Sequence, residues 1–223
     1  MTLTTLIDKQ DNSEIIRDQV SAILALETAS QTALATLAGK PSPEEWTFRV
    51  FQERANQWEC FPYNSTDIVP VVNVWVDNSV FIKSRSNSIE RQGADLTLNI
   101  DCYAPGLTTL PTADTQISGD ENAAIVAQRV ARLVRNILMA AEYTYLGLRG
   151  TVGQRWIESI TLFQPQQGNQ TAHHTMGARL VLKITYNEFS PQYELETLEL
   201  LTAEVSRTGD GEVVLNASYD YTV

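Results

Sequence analysis

Asp77, Asp101 and Glu158 lie on or beside candidate strands, and carboxylates that converge from strands can hold the divalent ion of a phosphoryl-transfer site. Such convergence needs strand registers that local spacing does not supply. Ordinary charge on a sheet surface explains the same three residues without a ligand. The histidine pair His173-His174 is adjacent in sequence, so on an extended segment its rings point apart, and no nearby Cys or carboxylate completes a ligand set. Ser118-Gly119-Asp120-Glu121 suits a helix start, but its carboxylates repel phosphate and the lysine of a P-loop is missing. The spacing of Ser118 and Glu121 fits a capping box instead. Neither a glycine-rich nucleotide fingerprint nor a nucleophile elbow is present. The expectation is a protein without catalytic residues, metal or cofactor.

The densest basic set is Arg129, Arg132, Arg135 and Arg149. On a chain of formal charge -11, with 27 acidic and 16 basic side chains, these arginines suit the carboxylates of a protein partner better than free nucleic acid. Solvated helix charge without a partner is the competing reading of each one. Two cysteines, Cys60 and Cys102, are too few for a disulfide framework and read as reduced structural thiols. The sequons at Asn64, Asn169 and Asn216 read as ordinary polar positions. No basic leader with an apolar run is recognised and no stretch reads as a membrane span, so a soluble protein made in the cytoplasm is expected.

The elements that must position these residues follow from hydrophobic period. Leu96, Leu98, Ile100 and Cys102 alternate with Thr97, Asn99, Asp101 and Tyr103, as on a strand with one packed face. Leu180, Leu182, Ile184 and Tyr186 repeat the pattern, with Arg179, Lys183 and Asn187 between them. Further strands are expected at residues 46–51, 71–76, 155–163, 178–189 and 213–221, while residues 195–205 suit either a helix or, by preference, a strand. Residues 83–91 are either a loop or the ends of a long hairpin, residues 56–67 an irregular excursion, and residues 105–117 a loop. Residues 164–175 read as a polar connection.

Asp11 and Glu14 can cap a first helix with Ile16, Val20, Ile23, Leu26, Leu34 and Leu37 on its apolar face. The helix after Ser118 buries Ile125, Val126, Val130, Leu133, Val134, Ile137, Leu138 and Ala141, leaving its arginines toward a polar edge. The fold expected is α+β: one domain over residues 1–223, a mixed, largely antiparallel sheet, and two long helices on one face. The other face, with Asn99, Asp101, Tyr103, Arg179 and Lys183, must then meet water, a loop or another chain.

Arg132-Leu133-Val134-Arg135-Asn136-Ile137-Leu138-Met139, followed by Tyr143-Thr144-Tyr145-Leu146-Gly147-Leu148, resembles the tail-terminator or tail-completion proteins of contractile-tailed bacteriophages. Pro70-Val71-Val72-Asn73-Val74-Trp75, Asn99-Ile100-Asp101-Cys102-Tyr103 and Tyr186-Asn187-Glu188-Phe189-Ser190-Pro191-Gln192 carry the same resemblance, which runs over residues 14–220. It implies an α+β protomer that closes into a homohexameric ring, caps the head-proximal end of the tail tube and joins it to neck or head-completion proteins. The sheath is a further neighbour, and DNA passes through the lumen without sequence recognition. The place implied is the tail-neck junction of a virion. Asp101, Arg129, Arg132, Arg135, Arg149, Arg179 and Lys183 then become interface or lumen residues. A carboxylate-dependent metalloenzyme and a monomeric protein-binding module are the alternatives.

Overall fold

The alternation at residues 96–103 belongs to a 16-residue strand, β3 (Arg91–Gly106), whose even positions Ala94, Leu96, Leu98, Ile100, Cys102 and Ala104 are fully buried. The computed structural model describes residues 8–55, 69–85, 91–106, 109–112, 115–165, 174–189, 200–206 and 213–220. In it β3 is the middle strand of an open five-stranded sheet. The order is β1 (Arg49–Gln52), β2 (Val71–Ile82), β3, β7 (His174–Phe189) and β6 (Val152–Phe163). Among the described residues of this sheet only the β1–β2 pair is parallel. β3 and β7 pair without interruption from Arg91↔Phe189 to Gly106↔His174, so the core residues Ala94, Leu96, Leu98, Ile100 and Cys102 meet Tyr186, Ile184, Leu182, Leu180 and Ala178.

Two helices cover the even face of β3. α1 (Asn12–Leu37) buries Ile16, Val20, Ile23 and Leu24, and α2 (Gly119–Leu138) buries Ala123, Ala127, Val130, Ala131, Val134 and Leu138. The alanines at four-residue spacing keep α2 narrow on the side that meets β3 and β7. Its start is held by a close approach: a Cβ on Gly106 would fall 2.0 Å from the Gly119 carbonyl oxygen and 2.6 Å from the Ala123 nitrogen. Only glycine lets the end of β3 pass under the helix. Cys102 lies in this core, and burial, then the charge of Asp101, pushes its thiol well above the ordinary value.

The expected fold class is met by this mixed, largely antiparallel sheet with two long helices on one face. Several local expectations are corrected. Leu26, Leu34 and Leu37 are exposed, Leu37 by 84%. The second half of α1 instead turns Thr28, Thr32 and Ala35 inward, with the Thr28 hydroxyl donating to the Trp46 carbonyl (3.1 Å) and Thr32 bonding Thr47 (2.9 Å). The stripe that faces the core drifts along the helix, which a fixed spacing rule does not follow. By length and composition α1 also reaches the minimum for a membrane span, which the sequence reading missed, although its first half packs on the sheet. On α2, Ile125 is exposed and Val126 and Leu133 are half-buried; Ala141 falls after the helix and is exposed.

Residues 105–117 are not simply a loop. β3 runs to Gly106, and β4 (Thr109–Thr112) pairs with β5 (Thr115–Ile117). Between β2 and β3 the hairpin reading holds, with pairing out to Ile82↔Gly93 and a short 3-10 turn at Lys83–Arg85. Ser118 is the N-cap of α2, but its side chain makes no cap bond. It bonds the Asp120 carboxylate instead and so holds that group below the usual carboxylate range. At α1 the expected box is seen: the Asp11 amide donates to Glu14 Oε2 at 3.2 Å.

Residues 191–223 form a second compact unit, in which β8 (Leu200–Ser206) pairs antiparallel with β9 (Val213–Asp220). Strand character at the weakly expected 195–205 is thus present from Leu200. The excursion at residues 56–67, Cys60, His173, Asn64 and Asn169 lie outside the described residues.

Two outcomes test this architecture. Leu98→Ala should cost about 2–5 kcal/mol in urea unfolding, whereas Leu37→Ala should stay within about 0.5 kcal/mol. Glu188, which accepts from the Asn12 amide at 2.9 Å, has its carboxyl raised chiefly by burial. The fold therefore favours its neutral form, and that contribution is full below the ordinary carboxylate range and lost as pH rises through the folded value. Stability measured from pH 4 to 7 should fall less in Glu188→Gln than in the native chain.

Candidate functional site

Register brings Asn73, Asp101, Arg179 and Thr161 into one row across β2, β3, β7 and β6. This row lies on the face away from the helices. The Asp101 carboxylate is 1% exposed and receives four donors. Arg179 grips it through Nε to Oδ1 (2.6 Å) and Nη2 to Oδ2 (2.9 Å), while Trp75 Nε1 (3.0 Å) and the Tyr103 hydroxyl (3.1 Å) donate to Oδ2. Such bidentate, charge-assisted contact is the arrangement that makes a buried carboxylate tolerable. The bond to Asp101 holds the Arg179 proton more firmly than usual, against the pull of burial. Burial and the neighbouring carboxylate push the Tyr103 phenol upward.

Aromatic rings complete the site. The Arg179 guanidinium lies over Trp75 at 5.2 Å and over Phe163 at 5.4 Å. Phe163 meets Tyr103 edge-to-face at 5.8 Å and sits on Gly177, where a Cβ would come within 2.5 Å of the ring. Asn73 pins the chain leaving β1, its Oδ1 accepting from the Arg54 amide and its Nδ2 donating to the Arg54 carbonyl, both at 3.1 Å. Glu53 turns that segment with φ 49° and accepts from the Val76 amide at 3.0 Å. A cavity of about 300 Å³ remains, lined by Glu53, Arg54, Ala55, Asn73, Trp75, Asp101 and Arg179. Both Asp101 oxygens are already occupied by the donors named above.

Lys183 lies along the same face, donating to Thr97 Oγ1 at 2.8 Å with Glu158 at 3.7 Å. The three strand carboxylates therefore do not form one ligand set. Asp101 is spent on Arg179, Glu158 faces Lys183, and Asp77 sits at the bulge between Val76 and Asn78. Among the described residues no group of three or more His, Cys, Asp or Glu side chains could hold a metal ion. His174 begins β7 and is exposed.

Of the expected basic set, Arg129, Arg132 and Arg135 lie on α2. Arg129 is bound to Glu45 at 2.6 Å, and Arg132 joins Glu45, Trp46, Arg129, Leu133 and Asn136 around a notch of about 280 Å³. Arg132 and Arg135 are exposed and have no carboxylate partner among the described residues, and Arg149 lies in the turn before β6. Arg155, which the sequence reading passed over, ties β6 to the end of α2 by donating to the carbonyls of Ala140 (2.7 Å) and Tyr143 (2.6 Å). Trp75 and Phe163 were also missed. Their only local signal is an aromatic residue on the polar parity of a strand.

Comparison of the chain with protein-family models and with curated proteins gives no match in either. The site thus rests on its own geometry. Arg179→Met should cost about 3 kcal/mol by leaving the Asp101 charge buried and alone, and Asp101→Asn should cost less, because the Arg179 side chain is 38% exposed. A double-mutant cycle by urea unfolding checks the coupling; additive effects would deny it.

Proposed function

We propose that this chain works by assembling rather than by making bonds. Copies close into a ring, a homohexamer, that caps the head-proximal end of a phage tail tube and joins it to the neck. The observation that carries the reading is the free edge of the sheet. β6 pairs only with β7 among the described residues, leaving a 12-residue outer edge on which Trp156, Ile160 and Leu162 are 41%, 46% and 43% exposed. A long edge with exposed apolar side chains is a template for another chain. The sequence resemblance supplies the biological setting, and the α+β layer with both helices on one face is compatible with it.

A ring repeats one heterologous contact until the rotation closes, so a modest interface is multiplied around the circle. Its two axial surfaces remain distinct, one for the tube and one for the neck, with the sheath outside. Excess negative charge suits a passage for DNA, since a strongly cationic lumen would hold the polymer by its phosphates. In this reading Asp101, Arg179 and Lys183 stiffen the sheet face, while Arg132 and Arg135 are free to meet a partner.

The monomeric binding module rests on the same β6 edge and differs in copy number alone. Native mass spectrometry of the purified chain, with averaged electron micrographs, should give a discrete six-copy ring, and in assembled virions the protein should lie at the head-proximal end of the tail. A single protomer at tens of micromolar, together with absence from that position, would overturn the proposal.

A further inference from the structure

Arg129, Arg132, Leu133 and Asn136 stand at i, i+3, i+4 and i+7 along α2, so they share one stripe of the helix. Glu45 and Trp46, from the short 3-10 turn Pro43–Trp46, close the notch of about 280 Å³ against them. The turn is a fixed wall. Its Trp46 carbonyl accepts from the Thr28 hydroxyl of α1 at 3.1 Å, and the Thr28 oxygen accepts from the Phe48 amide at 3.2 Å. Glu45 ties the turn to α2 through Arg129 at 2.6 Å.

That ion pair cancels the charge of Arg129. Arg132 has no carboxylate partner, and neither the Asn136 amide nor the Trp46 indole N–H has a hydrogen-bond partner, among the described residues. The notch therefore keeps one unpaired positive charge on a chain of formal charge -11. Trp46 and Leu133, both half-buried, supply apolar lining beside it.

These properties select a ligand. A single guanidinium offers a planar fork that matches a planar monoanion, whereas the Glu45 carboxylate opposes the second charge of a phosphate dianion. An exposed ion pair alone contributes little, so binding needs the apolar lining as well. At a share of about 30 Å³ for each water-sized group, the volume admits a molecule on the order of ten non-hydrogen atoms.

We propose that this notch binds a small monocarboxylic acid with a flat apolar body, the carboxylate held by Arg132 and Asn136 and the body by Trp46 and Leu133. All the groups required belong to one copy, so the site does not depend on ring closure.

Phenylacetate, a ring joined to a carboxylate through one carbon, is the probe. Titrated into the full-length chain labelled with nitrogen-15, it should shift the indole N–H resonance of Trp46, assigned by its absence from Trp46→Phe. The resonance of Trp75, whose N–H is held by Asp101 at 3.0 Å, should stay in place. Acetate lacks the body and 2-phenylethanol lacks the charge, so each should bind more weakly by about tenfold or more. Arg132→Gln should weaken phenylacetate by about the same factor, and Arg132→Lys, which keeps the charge but not the fork, by less. Arg132 is exposed, so the thermal midpoint of both variants should match that of the native chain. No shift at Trp46 with millimolar phenylacetate, undiminished binding by Arg132→Gln, or equal binding of acetate or 2-phenylethanol would each overturn the proposal. The ring reading would stand in any of those cases.

Discussion

Unbroken pairing of β3 with β7 over 16 residues is the constraint on which the sheet unit is built. Because side chains alternate with a strict period of two, that single register sends Leu96, Leu98, Ile100, Leu180, Leu182 and Ile184 to the helices and leaves Asp101 beside Arg179 on the reverse. A slip by one residue would exchange the faces. The carboxylate would then enter the apolar core without its donors, while the leucines met the polar side. The ion pair and the core thus specify the same alignment, each penalising the error that the other would tolerate.

The reverse side of the sheet is better described as a second, thinner packing layer than as a polar surface. Asn73, Thr97, Asn99 and Asp101 are all buried there, and Val71 and Tyr103 form a small apolar cluster with Phe51 and Phe163. Asp101 is held by Arg179, Trp75 and Tyr103, Thr97 by Lys183, and Asn73 by the Arg54 backbone. Such a layer gives rigidity without a third set of helices.

What the amino-acid order made legible, and what it hid, divides along physical lines. Alternation in β3 and β7 and the apolar face of α2 are local signals, and they located the sheet and its helices. Partnership between Asp101 and Arg179 depends on a register between segments 78 residues apart, which no local period encodes. The same distance hid Trp75 and Phe163, and it made Asp77, Asp101 and Glu158 look like a possible ligand set. In α1 the inward stripe drifts toward Thr28, Thr32 and Ala35, because the second half meets the segment around Trp46 rather than the sheet. There hydrogen bonds to threonine replaced the leucine contacts that composition suggested.

Cys102 lies in the middle of this architecture, sealed under the helices and beside a buried negative charge. Its sulfur cannot reach the reactive anionic form without exposure to water, so oxidants and alkylating reagents must wait for the sheet and helices to part. The residue is therefore a native clock of opening: its rate of modification counts how often the interior becomes wet, with no label introduced into the fold.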